Sequence, residues 1–128
     1  MTAPLDNALA SVDVDRGSER VTAALRGEID LSTIGAVGSV LTAALTEAGD
    51  TTFVVDLRQL AFIDSSGLHG LWMLREQAVR QNSRLILVRG PRQIQQLFEL
   101  TATDELFEFV DDPASIAQPT PAPTPPAA

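Results

Sequence analysis

The chain has 128 residues, 45% of them hydrophobic and 20% charged, an ordinary balance for one globular domain with a buried core. It contains no cysteine, which excludes disulfides, thiolate metal sites and cysteine nucleophiles. The formal net charge is −8 and every basic residue is arginine. This composition disfavours direct nucleic-acid binding and excludes both lysine Schiff bases and a phosphate-loop lysine.

The sequence also indicates no targeting or membrane segment. It shows no charged-then-apolar signal pattern at its start and no apolar run near membrane-spanning length. We therefore expect a cytoplasmic protein that is not inserted in a membrane. With a single histidine and no cysteine, the composition predicts no metal site, no cofactor and no catalytic residues.

The first half of the chain predicts a β-hairpin followed by a helix. After a loose start over residues 1–9, residues 10–15 and 21–26 alternate apolar and polar side chains, which is typical of two half-exposed strands. Ser32 or Thr33 can cap the next helix, whose apolar residues recur at three- and four-residue steps.

The second half alternates strands with helices. Residues 52–56 form a continuous apolar run that suits a central parallel strand. The later elements are a connector over 57–63, a helix over 66–81, a strand over 84–89, a helix opening at Pro91, a strand over 106–110 and one helical turn within 111–117. Residues 118–128 are rich in proline and alanine and predict a disordered tail.

This order, β-β-α-β-α-β-α-β, predicts an α/β fold over residues 10–117. The N-terminal hairpin should be antiparallel. The remaining strands should be mostly parallel, because a helix between two strands usually forms a right-handed crossover. The predicted result is a mixed β-sheet packed with α-helices.

The segment Asp64-Ser65-Ser66-Gly67 separates a buried strand from a helix. A short side-chain oxygen at Asp64 or Ser65 can accept hydrogen bonds from the first unpaired N–H groups of the helix. A serine hydroxyl there also lies beside the positive end of the helix dipole, which favours an added phosphate. Most such segments are helix caps and nothing more, so the motif by itself is a weak signal.

Strand order joins this segment to a second motif. Asp30 follows the second strand of the predicted sheet and Ser65 follows the third. If those strands are parallel neighbours, both residues emerge at the same edge of the sheet. Residues 27–30 and 64–67 should then form one surface.

Taken together, these motifs resemble the STAS domain and, more closely, the stand-alone anti-sigma factor antagonists of bacteria. The resemblance rests on GEID at residues 27–30 before a capped helix, and on FIDSSGL at residues 62–68 opening the next helix. Residues 84–109, RLILVRGPRQIQQLFELTATDELFEF, are similar to the family's later strand, helix and final strand. The resemblance covers residues 10–116.

The resemblance implies a partner-switching cycle. In the family, the unphosphorylated antagonist binds an anti-sigma factor that is also a serine kinase, and this frees a sigma factor. The kinase then phosphorylates the antagonist with ATP, and a separate protein phosphatase restores it. The resemblance places the phosphorylated serine at Ser65 and the functional aspartate of the GEID motif at Asp30. The implied partner-binding residues are Glu28, Asp30, Asp64, Ser65, Ser66 and Gly67.

Three other readings stay open. The chain could be a STAS binding module of a lipid-transport or stress-signalling complex. A serine hydrolase would need a base for Ser65, yet the single histidine, His69, belongs to the same predicted helix and the G-x-S-x-G pattern is absent. A phosphate or nucleotide binder could use the helix start, but neither a glycine-rich loop nor a lysine supports it.

Overall fold

The computed structural model describes the backbone of residues 2–4 and the whole of residues 9–116. Within these residues the strands are β1 Thr2–Pro4, β2 Ala10–Arg16, β3 Arg20–Ile29, β4 Thr52–Ile63, β5 Leu85–Val88 and β6 Glu108–Val110. The helices are α1 Ile34–Ala48, α2 Ser65–Arg80 and α3 Arg92–Leu100, with short 3₁₀ turns at Asp104–Leu106 and Pro113–Ser115. None of the helices in this part of the chain is long and apolar enough to cross a membrane.

The strands form one mixed sheet in the order β1-β2-β3-β4-β5-β6. β1 and β2 pair antiparallel, as do β2 and β3, whereas β3, β4, β5 and β6 pair parallel. The predicted α/β fold, with an antiparallel hairpin and otherwise parallel strands, is confirmed. The parallel β3–β4 pair is the part of the sheet that positions the candidate site.

A large core cluster lies between the helices and one face of the sheet. All three helices contribute buried residues to it, including Leu45 of α1, Leu71 of α2 and Phe98 of α3. A smaller cluster contains Val54 of β4, Ile86 of β5 and Ile116. The residues next to Val54 and Ile86 in their strands belong to the large cluster, so the smaller cluster lies on the other face of the sheet. Because β4 is covered on both faces, its first half reads as a continuous apolar run.

The connector predicted over residues 57–63 is wrong, because β4 continues through it to Ile63. Leu57 and Leu60 are buried in the large core, and the strand pairs with β3 as far as Ile63. Two consecutive exposed polar residues, Arg58 and Gln59, interrupt the apolar pattern. For this reason the sequence pattern does not indicate the second half of β4.

The expected loose start over residues 1–9 also differs from the structure, in which Thr2–Pro4 add an edge strand to β2. An edge strand presents unpaired N–H and C=O groups, and a further strand satisfies them. The tail predicted over residues 118–128 lies outside the described residues.

Candidate functional site

The two sequence motifs meet where β3 and β4 end. The parallel register pairs Glu28 with Phe62 and Ile29 with Ile63, so Asp30 and Asp64 follow adjacent strand ends. The backbone N–H of Asp64 donates a hydrogen bond of 3.2 Å to the carbonyl oxygen of Ile29, which ties the two loops together. The shared edge predicted from strand order is therefore present in the structure.

Asp64 caps helix α2. Its backbone is extended, and its Oδ1 accepts hydrogen bonds from the N–H groups of Ser66 at 2.9 Å and Gly67 at 3.1 Å. These bonds satisfy two of the unpaired donors that begin every helix. The helix starts at Ser65, one residue earlier than predicted, and Asp64 rather than Ser65 is the cap.

The capping by Asp64 leaves Ser65 free. Ser65 is exposed at the first position of α2, and its hydroxyl forms no hydrogen bond with any described residue. Ser66, the next residue, is half-buried. Of the two adjacent serines, Ser65 is thus the more exposed to a second protein.

Gly67 is buried and holds α2 close to the end of β3. A Cβ atom at this position would lie 2.6 Å from Ile63 Cγ1, 3.0 Å from Ile29 Cγ2 and 3.1 Å from the carbonyl oxygen of Ile29. The family resemblance implies that Gly67 is a partner-binding residue. In the structure it is buried against β3 and β4, where it sets the position of Ser65.

Asp30 organises the turn that precedes α1. Its Oδ1 accepts hydrogen bonds from the hydroxyl of Ser32 at 2.6 Å and from the N–H of Ser32 at 2.9 Å. The bond from the Ser32 hydroxyl is the main reason that the pKa of Asp30 is lowered, although partial burial opposes this shift. Its Oδ2 accepts no hydrogen bond from the described residues, so a carboxylate oxygen remains available at the surface.

Thr33 supports the same turn from below. Its buried Oγ1 donates to the carbonyl oxygen of Glu28 at 2.8 Å and accepts from the N–H of Asp30 at 2.9 Å. Thr33 was predicted as a helix cap, but its side chain makes no cap hydrogen bond to α1. The side chain of Glu28 is half-buried at this edge and forms no ion pair with a described residue.

Several exposed apolar side chains lie near these polar residues. Leu31 in the turn after Asp30, Phe62 at the end of β4 and Met73 on α2 are all well exposed for their size. The ring of His69 stacks on Trp72, with centroids 5.9 Å apart and planes 24° from parallel. An apolar surface beside an accessible serine is typical of a protein-binding site.

Among the described residues, Ser65 and the histidine on the same helix are not hydrogen-bonded to each other. That residue, His69, is the single histidine of the chain. Among residues 9–116, no group of three or more His, Cys, Asp or Glu side chains comes together as a metal site.

A family model described as "Mlab, STAS domain" matches residues 12–110. The chain belongs to the STAS domain family. The fold of this STAS domain is also similar to that of an anti-sigma factor antagonist from Mycobacterium paratuberculosis, with 21% identity and a TM-score of 0.73, over 82% of this chain and 88% of that one.

The same fold is found in the anti-sigma factor antagonist SpoIIAA in two states. The unphosphorylated form is 20% identical with a TM-score of 0.61, over 79% of this chain and 88% of that one. The phosphorylated form, from Bacillus, is 19% identical with a TM-score of 0.60, over 79% of this chain and 92% of that one.

The sequence motifs indicate that the polar residues share one edge of the sheet, but they give no sign of the exposed apolar side chains nearby. Leu31 and Met73 fit the pattern of ordinary helix-flanking and helical residues, and nothing in their spacing marks them as exposed. One sequence feature does point to the groove-lining part of α1. Gly35 and Gly38 both fall within the predicted first helix, where glycine lowers helix stability and often has a packing or functional reason.

Proposed function

We propose that this STAS domain is an anti-sigma factor antagonist. In its unphosphorylated form it binds an anti-sigma factor that has serine-kinase activity, and this binding releases a sigma factor. The kinase phosphorylates Ser65 and thereby ends the interaction, and a protein phosphatase restores the binding form. The observation that carries the proposal is the exposed, unbonded hydroxyl of Ser65 at the joint edge of β3 and β4.

The position of Ser65 supports its role as a phosphate acceptor. A kinase needs a hydroxyl that is accessible and not already engaged as a donor, and Ser65 meets both needs. A phosphate attached at the first position of α2 would lie near the positive end of the helix dipole, so the domain itself can tolerate it. Phosphorylation can therefore change binding while the fold stays intact.

The surroundings of Ser65 explain why a phosphate would weaken the partner complex. Phosphorylation adds about two negative charges at pH 7. Asp30 and Asp64 lie at the same edge, and the domain carries a net charge of −8. A partner surface shaped to fit a serine hydroxyl would meet added bulk, a desolvation cost and like-charge repulsion.

The proposal is tested by capture from a lysate of the source organism. Tagged wild type, Ser65→Asp and Ser65→Ala serve as baits, and the captured proteins are identified by mass spectrometry. We expect wild type and Ser65→Ala to retain an ATP-binding kinase that Ser65→Asp loses. Circular dichroism of all three baits checks that each is folded.

Equal capture of such a kinase by wild type and Ser65→Asp would contradict the charge switch at Ser65. Capture of membrane-transport subunits by every bait would instead favour a STAS module of a lipid-transport complex. Either result leaves the fold unchanged, and the second moves the function away from sigma-factor control.

A further inference from the structure

An apolar groove of about 690 Å³ runs between helices α1 and α2 and opens beside Ser65. One wall includes Leu31, which precedes α1, and Ile34, the first residue of α1. The other wall includes Met73 and Leu74 of α2. Two wall residues are strongly exposed, since Leu31 has 79% and Met73 has 56% of its surface accessible to solvent. An apolar groove with exposed rims costs free energy in water unless another molecule covers it.

Glycines keep the groove open near Ser65. Gly35 and Gly38 line it from α1, and a Cβ atom at either position would meet no atom within 4 Å. Helix propensity favours almost any other residue inside a helix. Two open glycines on the groove side of α1 therefore leave room for a partner, at a cost to the stability of the helix.

Glutamine side chains of α2 and the residue after it join α1 and α2 near their C-terminal ends. Gln77 Nε2 donates to Thr46 Oγ1 at 2.9 Å, and Gln81 Nε2 donates to the carbonyl oxygens of Leu45 and Gly49, each at 2.6 Å. These bonds clamp the C-terminal ends of α1 and α2 together.

The groove also differs from the rest of the domain in its charge. The domain has 17 acidic residues and a net charge of −8, yet no aspartate or glutamate lines the groove. Its ionisable residues are His69 near Ser65 and Arg80 at the far end of α2. Arg80 forms no ion pair with a described residue, whereas six other arginines do: Arg16, Arg26, Arg58, Arg75, Arg84 and Arg89.

We infer that the groove between α1 and α2 binds an amphipathic helix of the anti-sigma factor, with apolar side chains against Leu31 and Met73 and an acidic side chain directed to Arg80. This inference rests on the proposed function, because it names the surface that the partner uses. The groove follows α2, whose 16 residues span about 24 Å, the length of a four-turn helix. Amphipathic helices commonly bind in grooves of this kind through apolar residues spaced three or four apart.

The inference also links the groove to the switch at Ser65. Ser65 lines the groove, so a phosphate on it would add bulk and about two negative charges to the wall that the occupant contacts. The added bulk and the cost of desolvating the phosphate would oppose docking in the groove as well as direct contact with Ser65. Phosphorylation of one residue could then release a partner held over a much larger area.

The test compares two substitutions on α2 that add the same charge to a similar exposed side chain. Met73→Glu places a carboxylate in the groove, whereas Val79→Glu places one at a position that does not line the groove. The two side chains are similarly exposed to solvent, at 56% for Met73 and 59% for Val79. Binding to the purified kinase that wild type captures and Ser65→Asp loses is measured by calorimetry. We expect Met73→Glu to weaken binding at least about tenfold and Val79→Glu to change it by less than about twofold.

A third variant separates groove filling from loss of structure. Gly38→Leu should fill the groove and weaken binding by a similar factor, yet its melting temperature should equal or exceed that of wild type, because leucine favours the helix. Suppose that Met73→Glu and Gly38→Leu both bind with wild-type affinity while Ser65→Asp still loses binding. This result would contradict the role of the groove in partner binding and leave the proposed function standing. Equal losses in Met73→Glu and Val79→Glu would also contradict that role, since the effect would then be general charge repulsion.

A small anionic amphiphile is the competing occupant. Sodium laurate below its micelle concentration serves as the probe, with the methyl resonance of Met73 as the readout. Saturable binding of laurate that leaves the affinity for the kinase unchanged would contradict the assignment of the groove to a partner helix.

Discussion

Three polar residues lie at one edge of the sheet and differ in the hydrogen bonds that they form: Asp30, Asp64 and Ser65. Asp64 uses its carboxylate to cap α2, and Ser65 keeps its hydroxyl free. Asp30 uses one carboxylate oxygen to hold its own turn and leaves the other at the surface. The sequence alone could not predict these differences, because Asp64 and Ser65 are equally good capping residues.

At this scale we predict that Asp30→Ala folds but impairs partner binding or phosphorylation of Ser65. The substitution removes the surface oxygen beside Ser65 while leaving the buried bonds of Thr33 to the backbone of residues 28 and 30. Asp50→Ala is the matched control, because Asp50 is an exposed aspartate at the opposite end of β4. Calorimetric binding and kinase assays that show wild-type behaviour for Asp30→Ala would remove Asp30 from the site.

Asp56 provides a prediction on pH. Burial raises the pKa of Asp56, but hydrogen bonds and the charge of Arg58 outweigh it, and the net pKa lies below the usual 3.8. Arg58 Nη2 donates to Asp56 Oδ2 at 2.8 Å. Because the pKa is lower in the folded state, the ionised carboxylate stabilises the domain above about pH 5. This contribution to stability is lost as the pH falls below 3.8 and through the lowered pKa of Asp56 in the folded domain.

We therefore expect Asp56→Asn to destabilise the domain by about 1 kcal/mol at pH 7, a modest value because half of Arg58 is exposed to solvent. The difference from wild type should shrink as the pH is lowered toward 3. Urea unfolding at several pH values measures it. A difference that stays constant between pH 7 and pH 3 would show that the charge of Asp56 does not contribute.

At the scale of elements, glycines in α1 and α2 have opposite surroundings. Gly67 is required by close packing against Ile29 and Ile63, whereas Gly38 of α1 faces open space. The spacing of residues in the sequence cannot distinguish these two cases. Only the packing of the helix against its neighbours does so.

This contrast predicts opposite effects of the same substitution. Gly67→Ala should destabilise the domain by about 1–3 kcal/mol, because the added methyl group overlaps Ile63 and approaches the backbone of Ile29. Gly38→Ala should stabilise it by about 0.5–1 kcal/mol, because alanine favours the helix and meets no neighbour. Chemical denaturation measures both, and equal effects of the same sign would contradict the packing described for these helices.

At the scale of the whole molecule, the sequence predicted the antiparallel hairpin and the parallel pairing of the later strands, because a helix between two strands usually forms a right-handed crossover. It therefore also predicted that the loops after β3 and β4 meet. It missed the second half of β4, where Arg58 and Gln59 break the apolar run, and the edge pairing of β1. Gly35 and Gly38 indicate only that side chains are missing from one helix, and the groove also depends on the distance between α1 and α2, which the sequence does not give.

The whole molecule then appears as a rigid sheet that presents one serine beside an apolar groove. The parallel β3–β4 pair fixes Asp30 and Asp64, Gly67 draws α2 onto that pair, and the groove extends the surface along α2. A switch built this way needs no change of fold. In the proposed cycle, the two states would differ by one covalent group at the edge of this surface.

The most direct test of this account is phosphorylation by the captured kinase. Purified domain is incubated with the kinase and ATP, the modified residue is located by peptide mass spectrometry, and the affinity of both forms for the kinase is measured. We predict that phosphate appears on Ser65, that Ser65→Ala is not modified, and that the phosphorylated domain binds at least about tenfold more weakly. Phosphate on another residue, or full affinity after modification of Ser65, would contradict the account.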